Sequence, residues 1–422
     1  MTGLNDVQSL KGAVRQAVAE TPITDIHTHL FPPSHGSLLL WGADELLTYH
    51  YLVAELFTIA PRDLTYEKFW KLPKRDQADL IWRHVFLKHG ALSEAARGVV
   101  TTFNRLGLDV GKRDLPGIRK WFSEQTAEGY LEQVFSLANL DYAVMTNDPF
   151  QPAEVPHWQA ERTVPGKLKA ALRIDTLILN WPKAAEIMQA AGYNTDPNVE
   201  KMTFAAAGFA EARRFLTDWA KRIEPVYLAA SLPPDFHYPS DALYADVVRH
   251  VVVPVARERN LPVAMMIGVR KGVNPALGDG GDTVGVADVS AVLNLCMEFT
   301  DVKFLVTMLS RVNQHELCVT ARKCRNLHLF GCWWFCNNPS IIDELTRMRL
   351  ELLGATFTAN HSDARVLDQL LYKWSHTRAT VGEVLADKYA ALFAAGWRPT
   401  PDEIRRDARN LLGGAFEEFL RK

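Results

Sequence analysis

The sequence is poor in cysteine and has no surplus of either charge. Cysteine occurs five times in 422 residues, an odd and sparse set. That excludes the disulfide framework of a small secreted domain. Lys and Arg number 47 against 49 Asp and Glu, a net charge of −2. Such a balance leaves no electrostatic footprint for nucleic acid or a membrane surface. No apolar run approaches the roughly 20 residues that a membrane span needs. The opening stretch MTGLNDVQSLKGAVRQAVAE has no continuous apolar segment of the signal-peptide kind. Internal repeats and low-complexity segments are absent too. What is there is an ordinary globular composition, 48% hydrophobic and 23% charged. It reads as a cytoplasmic protein of metabolic-enzyme type.

The chain has a rhythm. Eight short apolar, β-branched runs end in polar or aromatic residues, at 23–31, 141–150, 168–177, 225–234, 262–270, 303–311, 327–335 and 355–365. Helix-like stretches separate them. Eight strands alternating with helices predict an α/β fold, a (β/α)8 TIM-type barrel, whose active site lies at the C-terminal strand ends. About 110 residues separate the first two runs, far beyond an ordinary connecting loop. Apolar residues at helical spacing over 43–57, 75–90 and 93–107 predict a helical subdomain, 35–135, inserted over the barrel mouth. The barrel itself is expected over 1–34 and 136–376. A C-terminal helical extension is expected over 377–422, with helices at 381–396 and 401–420, the latter broken near Gly413-Gly414.

The sharpest local feature is Asp25-Ile26-His27-Thr28-His29. On a strand, residues i and i+2 share a face, so His27 and His29 can chelate one ion. Asp363, at the end of the eighth run, is the expected third ligand, because strands 1 and 8 are neighbours in a closed barrel. A helix N-cap is its alternative role. Cys332 and Cys336 flank Trp333-Trp334-Phe335 without zinc-knuckle spacing, so core packing is expected for the cysteines.

These residues resemble the uronate isomerase family of the amidohydrolase superfamily. The likeness runs over essentially the whole chain, through TDIHTHLF, ELLTYHYLVAE, MTNDPF, ALRID, FLTDW, MMIGV, FLVTMLSR, FGCWWF and HSDARVL, and is closest to a divergent branch. There are departures. Strand 4 ends in Ser231-Leu232-Pro233-Pro234 with no bridging Lys, and strand 5 carries Met265-Met266 where typical members have a His before Ile-Gly. The ligand set His27, His29 and Asp363 therefore implies one divalent ion, Zn first, with Mn or Co as alternatives.

The resemblance implies an aldose–ketose isomerase. It would convert D-glucuronate to D-fructuronate, D-galacturonate to D-tagaturonate, or both, by proton transfer through a cis-enediol. Asp363 would ligate the metal and take part in removing the C2 proton. Tyr51 would shuttle a proton between O1 and O2, with packing on the barrel as its alternative. Arg365 would stabilise enediolate charge, or form only a surface salt bridge. Arg173 suits bidentate carboxylate recognition, with a pair to Asp175 as the structural alternative. His50 and Trp334 are the remaining expected sugar contacts, with a satisfied, non-catalytic histidine as the alternative for His50; one ring of Trp333-Trp334 should face the pocket and the other the wall. A mononuclear metal-dependent hydrolase is the competing activity. The expected partner is a small sugar acid, with neither nucleic acid nor membrane; a homo-oligomer stays open.

Overall fold

The computed structural model describes residues 6–160, 166–198 and 205–422. Residues 1–5, 161–165 and 199–204 of the segments expected to form the barrel lie outside it. The strands are β1 (Ile23–Thr28), β2 (Leu140–Asn147), β3 (Leu168–Arg173), β4 (Leu228–Leu232), β5 (Val263–Ile267), β6 (Val269–Arg270), β7 (Thr283–Val284), β8 (Phe304–Met308) and β9 (Leu327–Leu329). Among the described residues, seven form one sheet in the order β1-β2-β3-β4-β5-β8-β9. Every neighbouring pair in it is parallel. β6 and β7 make a separate antiparallel hairpin.

The sheet is buried on both faces, as parallel sheets are. Alternation sorts its residues. Val144, Ala229, Ala264, Met266 and Leu305 point into one apolar cluster. Met145, Ala230, Met265 and Val306 point into the larger cluster beneath the helices. The sheet curls, so that Tyr227, just before β4, reaches His27 on β1. This is a mixed α/β, TIM-like architecture.

The eighth run departs from expectation. It forms no strand of the sheet but a single bridge, Phe330 to Thr358. Beyond it the backbone is irregular, for two local reasons. Ala359 N–H donates to Leu411 O (2.9 Å), and Asp363 takes a left-handed φ of 53°. The segment still touches both flanks. Thr358 N–H donates to Leu329 O (3.1 Å), and Asp363 N–H donates to His27 O (3.1 Å).

Between β1 and β2 the described chain is helical, with helices at Ala43–Leu47, His50–Ile59, Tyr66–Trp70, Lys74–Ile81, Glu94–Arg105, Leu115–Ser123 and Ala127–Ala138. The helix expected over 43–57 is broken at Thr48-Tyr49, where Tyr49 is extended (φ −60°, ψ 140°). That break turns Tyr49 and His50 toward the cavity described below. The expected boundary at 376/377 falls inside one long helix, Gln369–Ala394. The break near Gly413-Gly414 is present: Gly413 has φ 125°, and a Cβ there would lie 2.4 Å from Thr24 Cβ. It lets the last helix, Ala415–Arg421, turn Phe416 and Phe419 into the sheet's inner cluster. Lys303 Nζ clamps this helix by donating to Leu420 O (2.6 Å).

All five cysteines are buried and free. No described helix is long and apolar enough to cross a membrane.

Candidate active site

β1 delivers His27 as a fully buried side chain and His29 just past its end, with 28% of that side chain exposed. Asp363 comes to them from the irregular segment. Its Oδ1 lies 3.6 Å from His27 Nε2 and 3.4 Å from His29 Nε2. One ligand atom from each of the three lies within 4.8 Å of the others.

Asp25 fastens the two chain segments together. Its Oδ1 accepts from Ser362 N–H (3.0 Å), and its Oδ2 accepts from Trp374 Nε1–H (2.8 Å). Burial pushes its carboxyl up to about 6, although these donors pull the other way.

The outer nitrogens of both imidazoles are spoken for. Tyr227 Oη donates to Ile26 O (2.7 Å), so its lone pair faces His27 Nδ1 at 3.2 Å. Thr146 Oγ1 donates to Thr28 O (3.0 Å), and its lone pair faces His29 Nδ1 at 2.8 Å. Each hydroxyl has one proton and a backbone carbonyl takes it, so each Nδ1 carries the imidazole proton. Both Nε2 atoms are therefore lone pairs aimed at a carboxylate. Among the described residues, neither His27 Nε2 nor Asp363 Oδ1 has a hydrogen-bond partner. Three acceptors converging without a proton between them are a cation site by electrostatics, and one divalent ion fits the donor set. Burial depresses both imidazoles, which favours their neutral, ligating form. Asp363 is held well below the usual carboxylate range: burial opposes this, and the positive charge of a protonated imidazole beside it, for which a bound cation would substitute, outweighs it.

A cavity of about 160 Å³ sits over this triad, lined by His29, Asp363, Arg365, Arg173, Tyr49 and His50 among others. It adjoins a larger one of about 660 Å³, which adds Asp148 and Glu154. Burial raises Glu154 to about 7.

The remaining expected residues fall as follows. Arg173 both lines the cavity and pairs with Asp175, through Nε–Oδ2 and Nη2–Oδ1 contacts of 3.0 Å each. The structural pair with Asp175 is present, and Nη1 lies outside it. Arg365 lines the cavity and is ion-paired to Asp279. His50 Nε2 is buried without a partner, and burial, then Arg365, lowers its ring to about 4. Trp334 lines the cavity with its Nε1 unpartnered. Trp333 lines it too, contrary to the expected alternation. The chain has left β9 at Leu329, and Trp334 opens a 3-10 turn at φ 45°. Tyr51 does not line either cavity; its hydroxyl is buried without a partner, edge-on to His50 at 4.5 Å. Tyr49, its neighbour, lines both. Met266, where a strand-5 His was missed, is buried in the inner cluster.

Several residues escaped the sequence reading. Tyr227 and Thr146 carry no local signal. Lys271, Asp279 and Asp282 arrive on the loop between β6 and β7, and the glycine-dense stretch Leu277-Gly278-Asp279-Gly280-Gly281-Asp282 was a readable sign of a tight excursion. His361 is fully buried 5.3 Å from the His27 ring.

No protein-family model matches the chain, and neither does any curated protein. Solved structures do. A uronate isomerase from Bacillus halodurans C-125 shares 47% identity over 100% of this chain and 98% of its own, with a TM-score of 0.96. A uronate isomerase from Thermotoga maritima matches at 16% identity and TM-score 0.74, covering 97% of both chains. A glucuronate isomerase from Caulobacter crescentus matches at 15% and 0.76, over 99% of this chain and 95% of its own. The last two speak to the fold alone. The first, at nearly half identity over the full length, carries more: the chain belongs to the uronate isomerase family.

Proposed function

We propose that the protein is a metal-dependent aldose–ketose isomerase of hexuronates, acting on D-glucuronate, D-galacturonate or both through a cis-enediol. The observation that carries this reading is the convergence of His27 Nε2, His29 Nε2 and Asp363 Oδ1 beneath a cavity lined by two arginines. A divalent ion held there, Zn by preference with Mn or Co as substitutes, would supply Lewis-acid polarisation of the sugar-acid oxygens.

The chain's own groups do the rest. Arg173 offers the free edge of its guanidinium to the substrate carboxylate, and Asp175 keeps that guanidinium charged despite burial. Asp363 is ionised at neutral pH and is the acceptor for the C2 proton. Tyr51, whose hydroxyl lies behind the cavity wall in this structure, exchanges the proton between O1 and O2 in a state of the enzyme that brings it to the substrate. Arg365 stabilises the negative charge that develops on the enediolate oxygens. The unpartnered Trp334 Nε1 and His50 Nε2 are reserved for sugar hydroxyls.

The finer architecture belongs to the same reading. The described residues of 6–34 and 136–376 make a (β/α)8 barrel in which the segment around Thr358–Asp363 stands in for the eighth strand. Residues 35–135 are a helical insertion at its mouth, and 377–422 a helical extension. The site suits a cytoplasmic enzyme of small-molecule metabolism.

Proton NMR of the metal-loaded enzyme in D2O tests the function. Each sugar is supplied separately. Ketose signals with partial deuterium at C1 are the expected result. No ketose from either sugar with Zn, Mn or Co overturns it.

A further inference from the structure

β5 ends at Ile267 without a metal ligand, and from Gly268 the chain makes an excursion. β6 and β7 form the stem of a hairpin whose loop, 271–282, reaches over the cavity. This loop is pinned at several points. Trp70 Nε1–H donates to Ala276 O (2.8 Å), from the helices after β1. Asn274 N–H donates to Gly281 O (3.0 Å), and Gly272 N–H to Asp282 Oδ1 (2.7 Å). Three glycines make the path sterically feasible. Gly278 has φ 58°; a Cβ on Gly280 would lie 3.0 Å from His50 O; one on Gly281 would lie 1.9 Å from Asn274 O.

The product of this geometry is the placement of one carboxylate. Asp279 lines both cavities and pairs through Oδ2 with Arg365 Nη1. Among the described residues, Asp279 is the one carboxylate within ion-pairing distance of Arg365. Arg365 is otherwise tied, among the described residues, through its main chain, N–H to Gln369 Oε1 (2.8 Å). With 43% of its side chain exposed, its long rotamer is not fixed by full burial. A long, half-exposed cation at a cavity rim needs a rigid partner if it is to meet developing charge without reorganising.

We propose that Asp279 is a positioning residue for Arg365, and that the glycine-built loop after β5 exists to place it. The proposal rests on the isomerase reading for the identity of the sugar acid, but not for the coupling itself. Asp279 holds the guanidinium over the triad and leaves its remaining donors turned to the ligand. The opposite role, a mask that the substrate must displace, predicts effects of opposite sign.

The test uses the metal-loaded enzyme and two readouts. The first is turnover of D-glucuronate and D-galacturonate. The second is calorimetric binding of D-glucarate, an open-chain diacid that has no aldehyde to isomerise. Asp279→Ala is expected to lower kcat/KM and to weaken glucarate about tenfold, with metal content unchanged. Asp279→Glu is expected to restore most of both. In an Arg365→Ala background, Asp279→Ala should weaken glucarate by less than about twofold, because the coupled partner is gone. Unchanged binding in Asp279→Ala, tighter binding, or full additivity with Arg365→Ala overturns the proposal. Wild-type glucarate binding with this coupling but no ketose overturns only the isomerase reading. Wild-type enzyme that neither binds glucarate nor makes ketose overturns both.

Discussion

Tyr227 Oη lies 3.2 Å from His27 Nδ1, 200 residues away along the chain. Its own proton goes to Ile26 O at 2.7 Å. The phenol therefore acts as an acceptor for the imidazole, fixes the tautomer, and leaves Nε2 as the lone pair that meets the ion. The curl of the sheet makes this contact: β4 is fourth in an order that begins at β1.

Tyr227→Phe removes the tautomer control and keeps the ring. The expected result is a metal affinity lowered by about 10–100-fold, the cost typical of losing such a supporting partner. The fold should survive, since the two hydrogen bonds lost are worth about 1 kcal/mol each. Competitive titration against a chelator measures it. Unchanged affinity would show that His27 finds its tautomer without Tyr227.

Where the sequence was legible, the physics was local. His27 and His29 could be paired because a strand repeats every two residues, and Asp363 because it ends the next apolar run around the ring. The break at Gly413-Gly414 was visible because glycine is poor in a helix. Tyr227 and Thr146 were invisible because their partners are 200 and 117 residues distant, and nothing in a lone Tyr or Thr announces a curl in the sheet. The expected alternation at Trp333-Trp334 failed because period-two reasoning holds only while the backbone is extended, and β9 stops at Leu329. Asp279 was missed because its position comes from glycine dihedrals rather than from any periodicity.

Gly331 is a steric requirement of the site. It has φ 66°, and a Cβ there would lie 1.8 Å from His361 Nδ1. His361 cannot yield easily, being boxed between His27 at 5.3 Å and Phe330 at 5.4 Å. Gly331→Ala is expected to destabilise the fold by about 2–4 kcal/mol through overpacking and backbone strain. It should also lower metal occupancy, because His361 would press on His27. Urea unfolding and metal analysis check the two effects. A stable variant with full metal would mean that this part of the wall is softer than its packing implies.

Glu154 gives a pH dependence whose sign follows from its burial. Its carboxyl accepts from Asp148 N–H (3.1 Å) and Trp158 Nε1–H (2.8 Å), and burial pushes it from 4.5 up to about 7. Asp148 is its charged neighbour, and Arg173 lies close to both. The folded state thus binds a proton that the unfolded chain has already released. Its contribution to stability is complete below the unfolded value and is lost as pH rises through about 7. Tm measured from pH 5 to 8 should fall in this window for wild type, beyond any slope from other groups. Glu154→Gln should flatten that component. A Tm profile identical in both proteins would remove Glu154 as its source.

Tyr51 separates function from stability. Its hydroxyl is buried with no partner, which costs a folded protein about 1–3 kcal/mol. A group kept at such a cost without a structural bond has its use in another state of the enzyme. Tyr51→Phe is therefore expected to leave Tm unchanged or to raise it, to leave metal content intact, and to lower kcat by about 10²–10⁴-fold, the range of a lost acid–base group. Tyr49 is the internal control, since it lines the cavity while Tyr51 lies edge-on behind it at 5.0 Å. If Tyr49→Phe abolishes turnover and Tyr51→Phe does not, the shuttle belongs to Tyr49, and the Tyr51 hydroxyl is a packing defect rather than a reserved proton carrier.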